Sequence, residues 1–413
     1  MQLNRSHINR MLFALVACFF LGALSQSTSA SAGERKKNFV VGKWAYQRLS
    51  KAHKFIAKGK YSKALAEMES MKRKRKLNDH ERALMWQTIG FIYSSQEKYP
   101  KAIKAFEKCL SLNALPSGSM LDTQYNMGQL YMANRQYRKA SQVLLDWIGK
   151  VDKPAPDSKY ILALSLTQTK QWHQALRWAK DAVASVKRPQ EGWLQLLMSI
   201  HLELKQLKEV ANVLQRVITL YPKKTYWMQL SAVYGELKQS AKALAVLELA
   251  YKQGMLTKES ELKNLASLYM HEGIPYKAAQ VIEKGMASGM IKKTERNLTI
   301  LGEAWIRSRE FDKAIGPLSS AAKLSKNGNL YIRVAHIQLE KEQWKKAISS
   351  LNSALGKGGL TDAGNAYLLL GIANMRLGKF AASKKAFNKA MSFSNTRKSA
   401  ESWMKSLAEK VTK

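Results

Sequence analysis

The side chains of this sequence that could do chemistry are few, and their spacing assembles none of the familiar reaction centres. Seven histidines are scattered along 413 residues. None falls in the H-E-x-x-H order that puts two imidazoles on one helix face around a metal, and no paired-cysteine spacing accompanies them. Neither a G-x-S-x-G nucleophile elbow nor a dinucleotide fingerprint occurs. The glycine-rich stretch "GKGGLTDAG" (356–364) lacks the G-x-x-x-x-G-K-[ST] order of a phosphate loop and reads as a turn. His201 and His336 lie on helices with an apolar stripe and read as packed or groove-facing. Cys109 sits on such a stripe and reads as a small buried residue rather than a reactive thiol. The expectation is a chain that is not an enzyme, with no cofactor, no metal and no small-molecule substrate.

Charge is the louder signal. There are 68 Lys+Arg against 30 Asp+Glu, a formal net charge of +38. Such an excess attracts polyanions of many kinds. Its densest run is "MKRKRK" (71–76), with Lys72, Arg73, Lys74, Arg75 and Lys76 in succession. That run reads either as a solvated helix end or as a contact with anionic headgroups, worth ~1 kcal/mol per cation near a membrane. Nucleic acid fits the charge equally well, but the N-terminus argues against it. Arg5, His7 and Arg10 precede the apolar run "MLFALVACFFLGAL" (11–24), and small polar residues follow. This is the layout of a Sec-type signal cleaved after Ala32. The run is too short to span a bilayer, which takes ~20 apolar residues. The alternative is a lipid anchor, since Leu15-Val16-Ala17-Cys18 resembles a bacterial lipobox. Either way the expected location is the periplasm, and nucleic acid is not an expected partner. Cleavage removes two arginines and no acid, leaving +36, and makes Cys109 the remaining thiol.

The elements that carry these residues are helices. In "MWQTIGFIYSSQEKYPKAIKAF" (85–106), Trp86, Ile89, Gly90 and Tyr93 fall on one helical face, and the stripe restarts with Tyr99, Ala102, Phe106 and Cys109. Two amphipathic helices joined by a short turn follow from that. The pattern W-x2-I-G-x2-Y then A-x3-F resembles the tetratricopeptide repeat, and it recurs. Tyr125, Gly128, Tyr131, Ala140 and Leu144 form one copy; Leu301, Gly302, Trp305, Phe311, Ala314 and Leu318 form another. The small second-helix residues run Ala64, Ala102, Ala140, Ala175, Val210, Ala243, Ala278, Ala314, Ala347 and Ser383, at intervals of 33 to 38 residues. The resemblance implies an all-α, right-handed superhelical solenoid of about ten helix–turn–helix repeats. Each pair leaves an apolar face bare, so neighbours must stack and the last needs a cap. The expected organisation is a signal peptide at 1–32, a short basic linker at 33–42, the array at 43–395, and a capping helix with tail at 396–413. In the array, Gly316-Pro317 falls inside a second helix, where proline should kink it.

The resemblance also implies where function lies: on a groove lined by the first helix of each pair, presented to protein segments. The candidate groove residues are Gln87, Phe91, Asn126, Gln129, Met132, Tyr160, Gln195, Lys263, Arg296, Glu303 and Arg307. The Lys/Asn/Arg clamp by which some relatives read a chaperone's C-terminal carboxylates is absent at the strong repeats. In layout the chain is further similar to periplasmic tetratricopeptide proteins associated with TonB–ExbB–ExbD systems, which implies a scaffold serving TonB-dependent uptake of iron complexes. The alternatives are a basic protein held to peptidoglycan or anionic lipid, or an assembly factor for exopolysaccharide or outer-membrane machinery.

Overall fold

The computed structural model describes residues 39–411, so the expected signal, Cys18 and most of the linker lie outside the described residues. Every regular element described is a helix, and the helices come as ten antiparallel pairs plus one. The first unit, up to Tyr221, holds five pairs. They are α1 (Lys43–Ala57) with α2 (Tyr61–Lys72), α3 (Asp79–Ser95) with α4 (Tyr99–Ser111), α5 (Ser117–Ala133) with α6 (Tyr137–Ile148), α7 (Pro156–Gln168) with α8 (Trp172–Ala184), and α9 (Glu191–Glu203) with α10 (Leu207–Leu220). The second unit begins at Pro222. Its pairs are α11 (Lys224–Glu236) with α12 (Ser240–Lys252), α13 (Glu259–His271) with α14 (Pro275–Ala287), α15 (Glu295–Arg307) with α16 (Phe311–Leu324), α17 (Asn329–Glu340) with α18 (Trp344–Lys357), and α19 (Ala363–Arg376) with α20 (Phe380–Met391); α21 (Arg397–Val411) follows.

The recurring small residues mark where the two helices of a pair cross. All ten, from Ala64 to Ser383, are 0–1% exposed. In two pairs the crossing is close enough for a hydroxyl to bond the partner's backbone: Ser383 Oγ donates to the Gly371 carbonyl at 2.8 Å, and Ser231 Oγ to the Ala243 carbonyl at 3.1 Å. The first-helix glycines serve the large residue one turn further on. A Cβ built on Gly90 would stand 2.4 Å from the Phe106 ring, one on Gly302 2.4 Å from Leu318, and one on Gly371 2.4 Å from Phe387. Phe106, Leu318 and Phe387 are each no more than 1% exposed, so the absent methyl is what admits them.

The turns inside the pairs share a second device. Each contains one residue at positive φ at the same repeat position: Gly59, Glu97, Arg135, Lys170, Lys205, Lys238, Gly273, Arg309, Glu342 and Gly378. The next residue's N–H then closes back over the helix end, as Lys98 N to Tyr93 O at 2.9 Å and Gln136 N to Tyr131 O at 2.8 Å, which satisfies a terminal carbonyl. Seven of the ten are Lys, Arg or Glu, types that do not announce a left-handed turn in sequence.

Helix α16 runs unbroken from Phe311 to Leu324 with Pro317 inside it. "GKGGLTDAG" is the connection from α18 to α19, with Gly358 and Gly359 at positive φ and the Gly358 carbonyl accepting from Gly328 N at 2.9 Å. The last helix buries Ala400 and Leu407 and stacks Trp403 on Phe387, with ring centroids 6.4 Å apart. It covers the apolar face that α19 and α20 would otherwise expose.

Candidate protein-binding face

Within each unit consecutive pairs stack, and first helices of successive pairs touch at several points. Polar contacts record this. Gln87 Nε2 of α3 donates to Thr123 Oγ1 of α5 at 2.8 Å. Asn297 Nδ2 of α15 donates to Glu259 Oε1 of α13 at 2.9 Å, and Arg333 of α17 pairs with Glu303 of α15 at 2.7 Å. Aromatic stacking does the same work between α7 and α9, where Tyr160 lies on Trp193 with centroids 5.7 Å apart.

These contacts revise the groove expected from sequence. Gln129, Met132 and Tyr160 are 7%, 9% and 8% exposed, so they are packing residues rather than contact residues. Gln129 is taken by the Tyr125 hydroxyl, and burial pushes that phenol up to about 12 although the hydrogen bond opposes it. Gln87 is half-buried and committed to Thr123, Phe91 stands edge-on to Phe106 at 5.3 Å, and Glu303 is paired with Arg333. Lys263 leans on Glu259 at 3.6 Å. Gln195 is half-buried on α9. What remains open is Asn126, half-buried on α5 like Gln195 but with no polar contact to a neighbour, and Arg296 and Arg307, both exposed on α15. The open residues fall in two sets, one in each unit. Arg333 and the exposed Leu202 of α9 also lie on first helices and were absent from the expected set.

The isolated titratable groups behave as packing residues. His201 is 1% exposed with Nδ1 2.7 Å from Gln206 Oε1, whereas His336 is exposed. Cys109 is fully buried, and burial raises its thiol to about 12 although a backbone hydrogen bond to Gln87 opposes the rise. Among the described residues no group of three His, Cys, Asp or Glu side chains is placed to hold a metal.

The cations are partly put to internal use. In five pairs an aromatic residue near the end of the first helix is covered by the lysine eight positions on: Lys101 over Tyr93, Lys139 over Tyr131, Lys242 over Tyr234, Lys277 over Tyr269 and Lys313 over Trp305, at 4.8 to 5.7 Å. Such contacts are worth ~0.5–1 kcal/mol each at exposed sites. The run Lys72–Lys76 is exposed throughout, but Lys74 Nζ sits 3.9 Å above the Trp44 ring and Lys72 pairs with Glu69 at 3.3 Å. Arg73, Arg75 and Lys76 are the members left to solvent.

Sequence comparison identifies two of these pairs. Residues 83–114, which are α4 and most of α3, and residues 364–396, which are α20 and nearly all of α19, match the tetratricopeptide repeat family. The fold is a tetratricopeptide-repeat solenoid. No curated protein matches it significantly in sequence. Similar solved structures include a tetratricopeptide repeat protein from Parabacteroides merdae, 17% identical over 64% of this chain and 99% of that one, TM-score 0.39. MamA from Desulfovibrio magneticus is 19% identical over 44% and 97%, TM-score 0.37. YrrB, described as a tetratricopeptide protein with an unusual peptide-binding site, is 19% identical over 46% and 91%, TM-score 0.36.

Proposed function

We propose that the chain is a non-enzymatic scaffold that holds protein segments against the first-helix faces of its tetratricopeptide pairs. The observation that carries this is the residue of the packing. Asn126, Arg296 and Arg307 stay open on helices where Thr123, Asn297 and Glu303 are engaged by neighbouring first helices. An amide and two guanidinium groups on rigid helices suit the carbonyls and carboxylates of an extended segment. The specific partner we assign is a TonB-type energy-transducing complex in the periplasm, in support of iron-complex uptake. The supporting features are the signal-like N-terminus and the basic repeat layout. Affinity capture from cross-linked envelope extracts should recover TonB, ExbB or ExbD components, and reproducible absence of all three sinks that assignment.

The exposed Arg73, Arg75 and Lys76 favour a second reading, attachment to peptidoglycan or anionic lipid, with a role in assembling envelope or exopolysaccharide machinery. Sedimentation with sacculi or anionic vesicles that weakens steeply with salt supports it, and binding that is absent or indifferent to salt rejects it.

A further inference from the structure

Each unit has an edge formed by the turns inside its pairs, and both edges carry more cations than acids, the first unit's by the wider margin. In the first unit the turns read "KGKYSK" (58–63), "QEKYPK" (96–101), "NRQYRK" (134–139), "TKQWHQ" (169–174) and "LKQLKE" (204–209), eleven cations against two carboxylates, and all eleven cations are exposed. None of them forms an ion pair among the described residues. In the second unit the equivalent turns hold nine cations against four carboxylates, and three of those cations are ion-paired, one of them to an acid inside α12. Lys341 pairs with Asp312, Lys313 with Glu310 at 3.3 Å, and Lys277 with Glu248 at 3.0 Å. At the positions of Asp312 and Glu310 the first unit has Arg138 and Gln136 in its third turn. The same fold can therefore answer cations on this edge with ion pairs, and in the first unit it answers none of them.

Successive turns lie side by side. Arg135, Tyr137, Arg138 and Lys139 of the third turn and Gln168 and Lys170 around the fourth line one depression of about 520 Å³. Stacked helices set neighbouring turns ~10 Å apart, so the row is a line of positive charge. An extended segment in polyproline-II form advances ~3.1 Å per residue with three residues per turn, so acids at every third position lie on one side and would meet one turn each. Nine of the eleven cations are lysine, compact point charges that suit dispersed carboxylates, while phosphate recognition draws on arginine forks. We infer that the intra-pair turn edge of the first unit binds an acidic, extended protein segment that runs across consecutive turns. This surface is separate from the first-helix face and stands or falls independently of it.

The test uses paired charge reversals at one backbone position. Glu97 and Glu342 already occupy the positive-φ turn position, so Arg135→Glu with Lys170→Glu keeps the turn, as does the control Lys238→Glu with Arg309→Glu in the second unit. The probe is a labelled peptide of roughly fifteen residues with Glu at every third position, titrated into the purified chain at about 0.15 M salt. The expected result is saturable binding weakened about tenfold or more by the first pair and changed less than about twofold by the control. Equal losses in both variants would mean that net charge alone is read, and would overturn the inference. So would absent saturable binding, or tighter binding to a single-stranded oligonucleotide or anionic vesicle of matched charge.

Discussion

Gly90 and Gly235 are both helical glycines, and their surroundings give opposite forecasts for the same substitution. Gly90→Ala puts a methyl 2.4 Å from the fully buried Phe106 ring, which has nowhere to go, so it should cost about 1–3 kcal/mol in denaturant unfolding. Gly235, within α11, meets nothing within 4 Å, and Gly235→Ala should stabilise by about 0.5–1 kcal/mol through helix propensity. Cys109 provides a chemical check on the same core. With its thiol fully buried and raised to about 12, it should react with a disulfide reagent at pH 8 only as fast as the second pair opens, and rapidly in denaturant. Rapid labelling of the native chain would contradict its placement. At this scale the sequence was most readable where one packing constraint recurs, as at Gly90, Ala102 and Phe106. It was least readable where a side chain's partner sits on the next pair. Nothing in the letters around Gln87 says that Thr123, 36 residues on, will take its amide.

Two elements carry predictions of their own. The turn residues at positive φ cost an ordinary side chain roughly 1–2 kcal/mol that glycine avoids. Lys238→Gly should therefore raise the unfolding free energy by up to about 1 kcal/mol after glycine's entropy is allowed for, while Gly378→Ala should lower it by a similar amount. The start of α13 depends on a carboxylate. Glu261 accepts from Thr257 N at 2.9 Å and Lys258 N at 3.1 Å and pairs with Lys224 at 2.7 Å. Burial alone would raise this acid, but the Lys224 ammonium and the two N–H groups outweigh it and hold it below the usual glutamate range. A folded value below the unfolded one gives stability that is complete above the unfolded value and is lost as pH falls through the folded one. Glu261→Gln should thus destabilise by about 2 kcal/mol at neutral pH and lessen the wild-type loss below about pH 4. An unchanged acid limb would refute that role. The ten pairs and the capping helix were legible because small residues recur at helix crossings. The left-handed turns were not, because Lys, Arg and Glu fill positions where glycine would have marked them.

For the whole molecule, the excess of positive charge turned out to be several things. Lysines over Tyr93, Tyr131, Tyr234, Tyr269 and Trp305 brace the pairs, acids in the second unit answer others, and the turn cations of the first unit meet no acid. Composition could not separate these uses because each depends on which helix ends the stacking brings together. The groove was legible as a face but not as a residue set. Packing buries Gln129, Met132 and Tyr160 and leaves Asn126, Arg296 and Arg307 open. The central claim is that partners are held on that face. A photo-reactive residue at Asn126 or Arg296, with Lys104 on the exposed side of α4 as the comparison, tests it most directly. The account predicts discrete protein adducts from the two first-helix positions and few or none from Lys104. Adducts mainly from Lys104, or none from either first-helix position, would contradict it.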